Sequence, residues 1–258
     1  MAYDMEYRKN TKPAQKLSYT SLLTANDSAP KDEPGIERDC YTPFGPAKFR
    51  YGKVTQASGC TRGELQSRKA VVTITNFVSG STTTGVDNAT WTVNDYQHDI
   101  LLIHDDAAGA GASPEGHCAP ITSNDATTLY LDPMNPLPAA IAEGDDGSIV
   151  SFCKTIDSAA GDELNEVYGV AMASLSEGYW GWFQCHGICP YALVQAATTI
   201  TAEKALIAHT ARLSISSTSA DQLLLGVTLG QVGATNDLVD DVFPVKLRYL
   251  GDGLGVSA

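Results

Sequence analysis

Cys185-His186-Gly187-Ile188-Cys189 is the segment of this 258-residue chain whose side chains could do the most chemistry. Two thiols and one imidazole so close together could supply three of the four ligands of a zinc ion. No second CxxC-type pair stands at finger spacing, and residues 185 and 186 point to opposite faces if the segment is a strand. The sequence is therefore read first as buried thiols in a β-core, with Cys185, His186 and Cys189 as weak metal candidates. A Cys185–Cys189 disulfide would need a turn at Gly187.

Other titratable clusters carry less. His104-Asp105-Asp106 with His117 could suggest a metal or acid–base site, but its surroundings are loop and its spacing fits no hydrolase pattern. Asp145-Asp146-Gly147 and Asp240-Asp241 read as turn residues. No GxSxG, P-loop, HExxH or glycine-rich dinucleotide turn occurs. No nucleophile is nominated, no cofactor is expected, and the chain is read as not an enzyme. Trp180 and Trp182 could stack on sugar rings, although core or interface packing suits their apolar flanks better.

The element that must position these groups is Val167 to Gly187. It reads as two extended runs meeting at Ser176-Glu177-Gly178, with Gly178 free to take the positive φ of a short turn. Along the second run Tyr179, Gly181, Phe183 and Cys185 share one face, and Trp180, Trp182, Gln184 and His186 the other. The protein has three tryptophans, so two of them stand on this one strand. Aromatics on both faces predict a strand covered on both sides, with Tyr179, Trp180, Trp182 and Phe183 in the core.

The net charge of −13 argues against binding nucleic acid through its phosphates. It is unevenly placed: residues 1–50 hold eight Lys/Arg and seven Asp/Glu, so the remainder, with nine and twenty-three, nets −14. A near-neutral leading segment on an acidic body suggests two surfaces with different neighbours. No apolar run reaches the roughly 20 residues of a membrane helix. The start, MAYDMEYRKN, lacks the order of a signal peptide, so the protein is expected to stay where it is made, with its six cysteines mostly reduced and buried.

Residues 1–46 show no sustained period and are broken by Pro13, Pro30, Pro34, Pro43 and Pro46. They are expected to form an extended arm that orders on a partner through Tyr3, Tyr7, Tyr19, Leu22 and Leu23. Strand-like patterns follow at Ala47–Val54, Ala70–Val78, Ile100–Ile103, Thr127–Leu131 and Gly147–Cys153. The acidic stretch Asp157–Glu166 is taken as a boundary. Beyond it come the tryptophan hairpin and further strands at Tyr191–Ala196, Leu206–Ala208, Arg212–Ile215, Gln222–Leu229 and Phe243–Tyr249, with a short helix conceivable at Thr201–Ala208. The expectation is an all-β protein: an arm (1–46) and two small β-sandwich or β-barrel (tulip-like) modules (47–156 and 157–258).

Gly169-Val170-Ala171, then Gly178-Tyr179-Trp180-Gly181-Trp182-Phe183-Gln184, then Gly187 resembles the "GVA…GxxGWVQ…G" pattern of tailed-phage head decoration, or capsid cement, proteins. Leu206-Ile207-Ala208, Ser214–Ser219, Leu225–Leu229 and Val245-Lys246-Leu247 follow in the family's order. The resemblance covers about residues 85–250 and departs from the pattern at Cys185 and Cys189. It implies a catalytically inert, β-rich virion protein on the outer capsid surface, assembled in the host cytoplasm. It further implies a homotrimer that clamps neighbouring major capsid subunits, with no nucleic-acid or membrane partner. The alternative is a carbohydrate- or receptor-binding head-fibre or adhesin module; an enzyme built on the Cys/His cluster is the third.

Overall fold

The computed structural model describes residues 18–105, 114–157, 167–195, 205–209, 212–215, 226–229 and 241–247. Tyr3 and Tyr7 lie outside the described residues. Among the described residues one helical turn, α1 (Tyr19–Leu22), precedes seventeen strands. They are β1 (Glu37–Thr42), β2 (Gly45–Val54), β3 (Leu65–Arg68), β4 (Val72–Ile74), β5 (Ser79–Gly80), β6 (Thr84–Val86), β7 (Ile100–Asp105), β8 (Cys118–Asn124) and β9 (Thr128–Leu131). There follow β10 (Asp146–Val150), β11 (Lys154–Asp157), β12 (Val167–Ala171), β13 (Trp180–Gln195), β14 (Ala205–His209), β15 (Arg212–Ile215), β16 (Gly226–Thr228) and β17 (Asp241–Leu247). The protein is all-β, as expected; the helix considered at 201–208 is strand β14 over its described part.

Ten strands form one continuous sheet, ordered β1-β2-β11-β3-β12-β13-β15-β14-β16-β17, with β13 pairing additionally to β2 and β17. Those extra pairings roll the sheet into two closed rings. The first half of β13 closes β2, β11, β3 and β12; the second half closes β15, β14, β16 and β17. One sixteen-residue strand thus serves two small barrels. Gly187 marks the crossing. Its φ is +92°, and a Cβ there would lie 2.7 Å from the Pro46 carbonyl oxygen, so the backbone fits only without a side chain.

The other seven strands form a second sheet, β4-β10-β7-β8-β9-β6-β5. Residues 72–150 are inserted between β3 and β11, which pair with each other. The partition at 156/157 therefore needs correcting. It cuts through β11, and β2 and β3 belong with β12 and β13 rather than with residues 72–150. Residues 72–150 have their own apolar centre, including Phe77, Trp91, Leu101, Ile103, Ile121, Leu129 and Ile149.

The arm also needs correcting over its described part. Residues 18–46 pack on the first barrel. β1 pairs with β2 from Glu37↔Arg50 to Thr42↔Gly45, and Asp27 bridges to Trp180. Leu22 is fully buried, and Tyr19 and Leu23 pack on the same cluster as Trp180 and Trp182. The scattered apolar residues have no period because they cover a sheet face as irregular chain rather than as an element.

Alternation along β2 explains the two faces of the barrel wall. Ala47, Phe49 and Tyr51 join Trp180 and Trp182 on the outer face beneath residues 19–36. Tyr51 stacks on Trp180 at 5.8 Å and tilts against Trp182 at 5.0 Å. Inward, the Tyr168 ring lies against Phe183 and over Gly52, where a Cβ would come within 2.7 Å of the ring, and its hydroxyl donates to the Tyr51 carbonyl. Arg50 also points inward, against Tyr168, paired with Glu37 of β1.

Candidate interaction surface

The Cys185–Cys189 segment lies at the crossing between the barrels. Cys185 and Cys189 are fully buried and His186 is half-buried. The Cys185 thiol donates to the Lys48 carbonyl at 3.4 Å. Burial pushes both thiols up to about 12, which disfavours the thiolate that zinc requires. Among the described residues no group of three His, Cys, Asp or Glu is placed to hold a metal ion, and none of the six cysteines forms a disulfide, five of them being buried and Cys118 exposed.

The remaining acidic and histidine candidates are dispersed. His104 bonds Ser148 at 2.6 Å, while Asp105 and His117 are exposed on strand and loop; Asp106 lies outside the described residues. Asp145 accepts from the Ala142 amide at 2.8 Å, the turn role expected of it, whereas Asp146 is the first residue of β10 and accepts from the Asn76 amide at 2.7 Å. Of the hairpin aromatics, Trp180, Trp182 and Phe183 are buried and Tyr179 is half-buried. Gly178 has φ +80°, and the turn before it is longer than a tight hairpin, since paired residues begin only at Ala171↔Phe183.

The surface offers a feature that the sequence pattern did not single out. The β1–β2 hairpin turns through Thr42-Pro43-Phe44-Gly45. Thr42 Oγ1 closes the turn, donating to the Gly45 carbonyl at 2.8 Å and accepting from the Phe44 amide at 3.1 Å. This leaves Tyr41 85% and Phe44 45% exposed at the tip, with Pro43 and Pro46 exposed beside them. Phe44 is steadied edge-on by Tyr19 at 6.5 Å. Other exposed apolar side chains such as Val93 and Met134 are ordinary for a protein surface; two aromatic side chains held at one turn are not. β1 is also the first strand of its sheet, and among the described residues its outer edge has no partner strand. The signal was present as aromatics flanking a Pro/Gly turn, in a stretch whose lack of period suggested an arm.

The other concentration of polar groups lies inside, where residues 72–150 meet the first barrel. Lys154 and Asp99 form an ion pair at 2.6 Å, each 1% exposed. Lys69 bonds the Asp95 carboxylate at 2.7 Å beside them. Asn94 and His98, both at positive φ, shape the turn that aims Asp99 inward, and His98 meets the Trp180 ring edge-on at 5.8 Å. Desolvation raises the Asp99 carboxyl and lowers Lys154 and His98.

No family model, curated protein or solved structure matches the chain.

Proposed function

We propose that this chain is a structural virion protein that decorates and stabilises the outer surface of a phage capsid. It binds neighbouring major capsid subunits as a homotrimer and catalyses no reaction. The observation that carries this reading is the aromatic tip of Tyr41 and Phe44, held rigidly by Thr42 beside an open sheet edge. Such a feature gives contact area at small cost in side-chain entropy, and the edge can accept a strand from a partner. The pattern around Gly169-Val170-Ala171 and Trp180–Gln184 supports the same class. Trp180 and Trp182 do not serve a glycan, because the faces a sugar would need lie under residues 19–36.

In this reading the tip and residues 1–17, with Tyr3 and Tyr7, are separate contacts. A trimer multiplies each of them through effective concentration. The test mixes purified protein with undecorated capsids and follows co-sedimentation. Wild-type protein sediments with the shells. A Tyr41→Ser/Phe44→Ser variant keeps its melting temperature and loses at least about tenfold in affinity, roughly 1.4 kcal/mol or more. Removal of residues 1–17 lowers retention without unfolding the body. A tip variant that stays on capsids at wild-type occupancy defeats the assignment of the tip, and wild-type protein that never sediments with shells defeats the reading as a whole.

A further inference from the structure

The Lys154–Asp99 pair is unusual in what it lacks. Lys154 Nζ has two hydrogen-bond acceptors, Asp99 Oδ2 at 2.6 Å and the Asp95 main-chain carbonyl, and otherwise faces the Tyr96 ring with the centroid at 6.0 Å. An ammonium carries three hydrogens. Asp99 Oδ1 is buried with no hydrogen-bond partner, although an ionised carboxylate calls for several donors. A charged pair is thus under-satisfied at both ends in a site closed to water. An amide in the same place would need less: one N–H, for which the Asp95 carbonyl is already in position, and one oxygen.

We propose that Lys154 and Asp99 condense spontaneously into an isopeptide bond, an amide between Nζ and Cγ, that ties residues 72–150 covalently to the barrel. The reaction needs no oxidant or activating group. A proton passes along the existing hydrogen bond, turning ammonium and carboxylate into amine and carboxylic acid. The Nζ lone pair then attacks Cγ, one C–O bond breaks, and the departing hydroxyl takes a proton from nitrogen and leaves as water. Burial favours the neutral forms that the first step requires, since it raises the Asp99 carboxyl and lowers the Lys154 amine. Positioning replaces activation. Held together in a dry site, two groups react as if at the very high effective concentrations, about 10⁵–10⁸ M, measured for well-oriented intramolecular reactions. Lys69, bonded to the Asp95 side chain, steadies the carbonyl that would receive the amide N–H, and the Ser151 hydroxyl hydrogen-bonds the Asp99 carboxyl, leaving Oδ1 as its orphaned oxygen.

The full chain, purified and denatured, tests this by mass. The expected result is an intact mass lower than the sequence requires by one water, after allowing for any loss of Met1. The sequence supplies a second readout, because no Lys or Arg lies between Lys69 and Lys154. Acylated Lys154 resists trypsin, so digestion of the denatured protein leaves residue 154 uncut in a single peptide of residues 70–204, and a second protease with tandem-mass sequencing of that peptide maps the link to Asp99. In Lys154→Arg the water is retained and trypsin cuts at 154. Dehydration at Asp146-Gly147 or Asp252-Gly253 would also remove one water, but those imides reopen in mild alkali and leave Lys154 open to trypsin. An intact mass matching the sequence overturns the proposal, as does a water loss with normal cleavage at Lys154. Both measurements use wild-type protein, so they decide the matter whether or not the variant folds.

Discussion

Residues 72–150 and the barrel they interrupt fill their interiors by different means. In the inserted region the centre is apolar, built from Ile74, Phe77, Leu101, Ile103, Ile121, Leu129 and Ile149, and its few buried polar groups are Asp99 and Asp145 before strands, Asn124 at the end of β8 and Ser148 within β10. Asn124 there bonds the Tyr96 amide and the Thr92 carbonyl. In the barrel Arg50, Gln66, Ser67, Thr155 and Gln184 are buried among Tyr168, Phe183 and Val54. Gln66 and Thr155 bond each other across strands, and Gln184 donates to the carbonyls of His186 and Ile188 as β13 leaves the first ring. An apolar core is set by volume and tolerates repacking, whereas a polar network works only if its members keep their partners. The inserted region should therefore lose stability in proportion to what is removed, and the barrel and its seam should lose it abruptly.

The seam should give the largest effect. Lys154→Met leaves Asp99 buried with neither its cation nor the link and should cost at least about 3–5 kcal/mol, while adding Asp99→Leu should regain the part due to the unpaired buried carboxylate. Leu101→Ala in the apolar centre should cost about 2–5 kcal/mol, with no partner change that restores it other than filling the volume. Urea unfolding of the four proteins measures both. If the double variant is no more stable than Lys154→Met alone, the seam is not governed by pairing and the contrast fails.

A second comparison lies along β13 itself. Trp182→Ala removes a ring buried between Tyr51 and the 19–36 cover and should cost about 3–5 kcal/mol. Gly187→Ala removes nothing, yet it places a Cβ against the Pro46 carbonyl at positive φ and should cost about 1–3 kcal/mol. Thermal melts of the two variants rank them. A Gly187→Ala protein as stable as wild type would show that the crossing between barrels is not pinned there.

The same difference in interiors decides what could be read in the sequence. Where the buried positions of one face are apolar, alternation marks the strand, as on the outer face of Ala47–Val54 and at Ile100–Ile103 and Thr127–Leu131. Where they are polar it does not. β3 is Leu65-Gln66-Ser67-Arg68 and β11 is Lys154-Thr155-Ile156-Asp157, both with buried polar side chains, and neither stands out by pattern. Without them the insertion is hidden, because the pairing of β2 with β11 joins residues a hundred apart. Lys154 and Asp99 are likewise far apart in sequence, and a lone lysine after Cys153 carries no local sign of its partner. Residues 19–36 resemble an arm because a cover of irregular chain has no period. The buried tryptophan strand and the turn glycine at 178 were legible, since both express local chemistry.

The smallest effects should come from the thiols, which compare barrel with inserted region once more. Cys153 and Cys185 are buried in and beside the barrel, and Cys189 at the start of the second ring; burial pushes each up to about 12 from an ordinary 9.0. Cys118, on β8 of the inserted region, is exposed. A thiol raised in the folded state keeps its proton there after the unfolded chain has lost it. Its contribution to stability is therefore full below about pH 9 and is lost as pH rises towards 12, by up to about 1.4 kcal/mol per pH unit for each thiol. Tyr51, also raised to about 12 by burial, acts in the same direction above its ordinary 10.0. Urea midpoints should hold steady from pH 7 to 9 and fall between pH 9 and 10.5, and Cys185→Ala should flatten part of that fall. Brief iodoacetamide treatment at pH 8 should label Cys118 first and reach the buried thiols only on unfolding. Equal labelling of Cys185 in the native protein would mean that the wall of the first barrel opens far more readily than its closed ring implies.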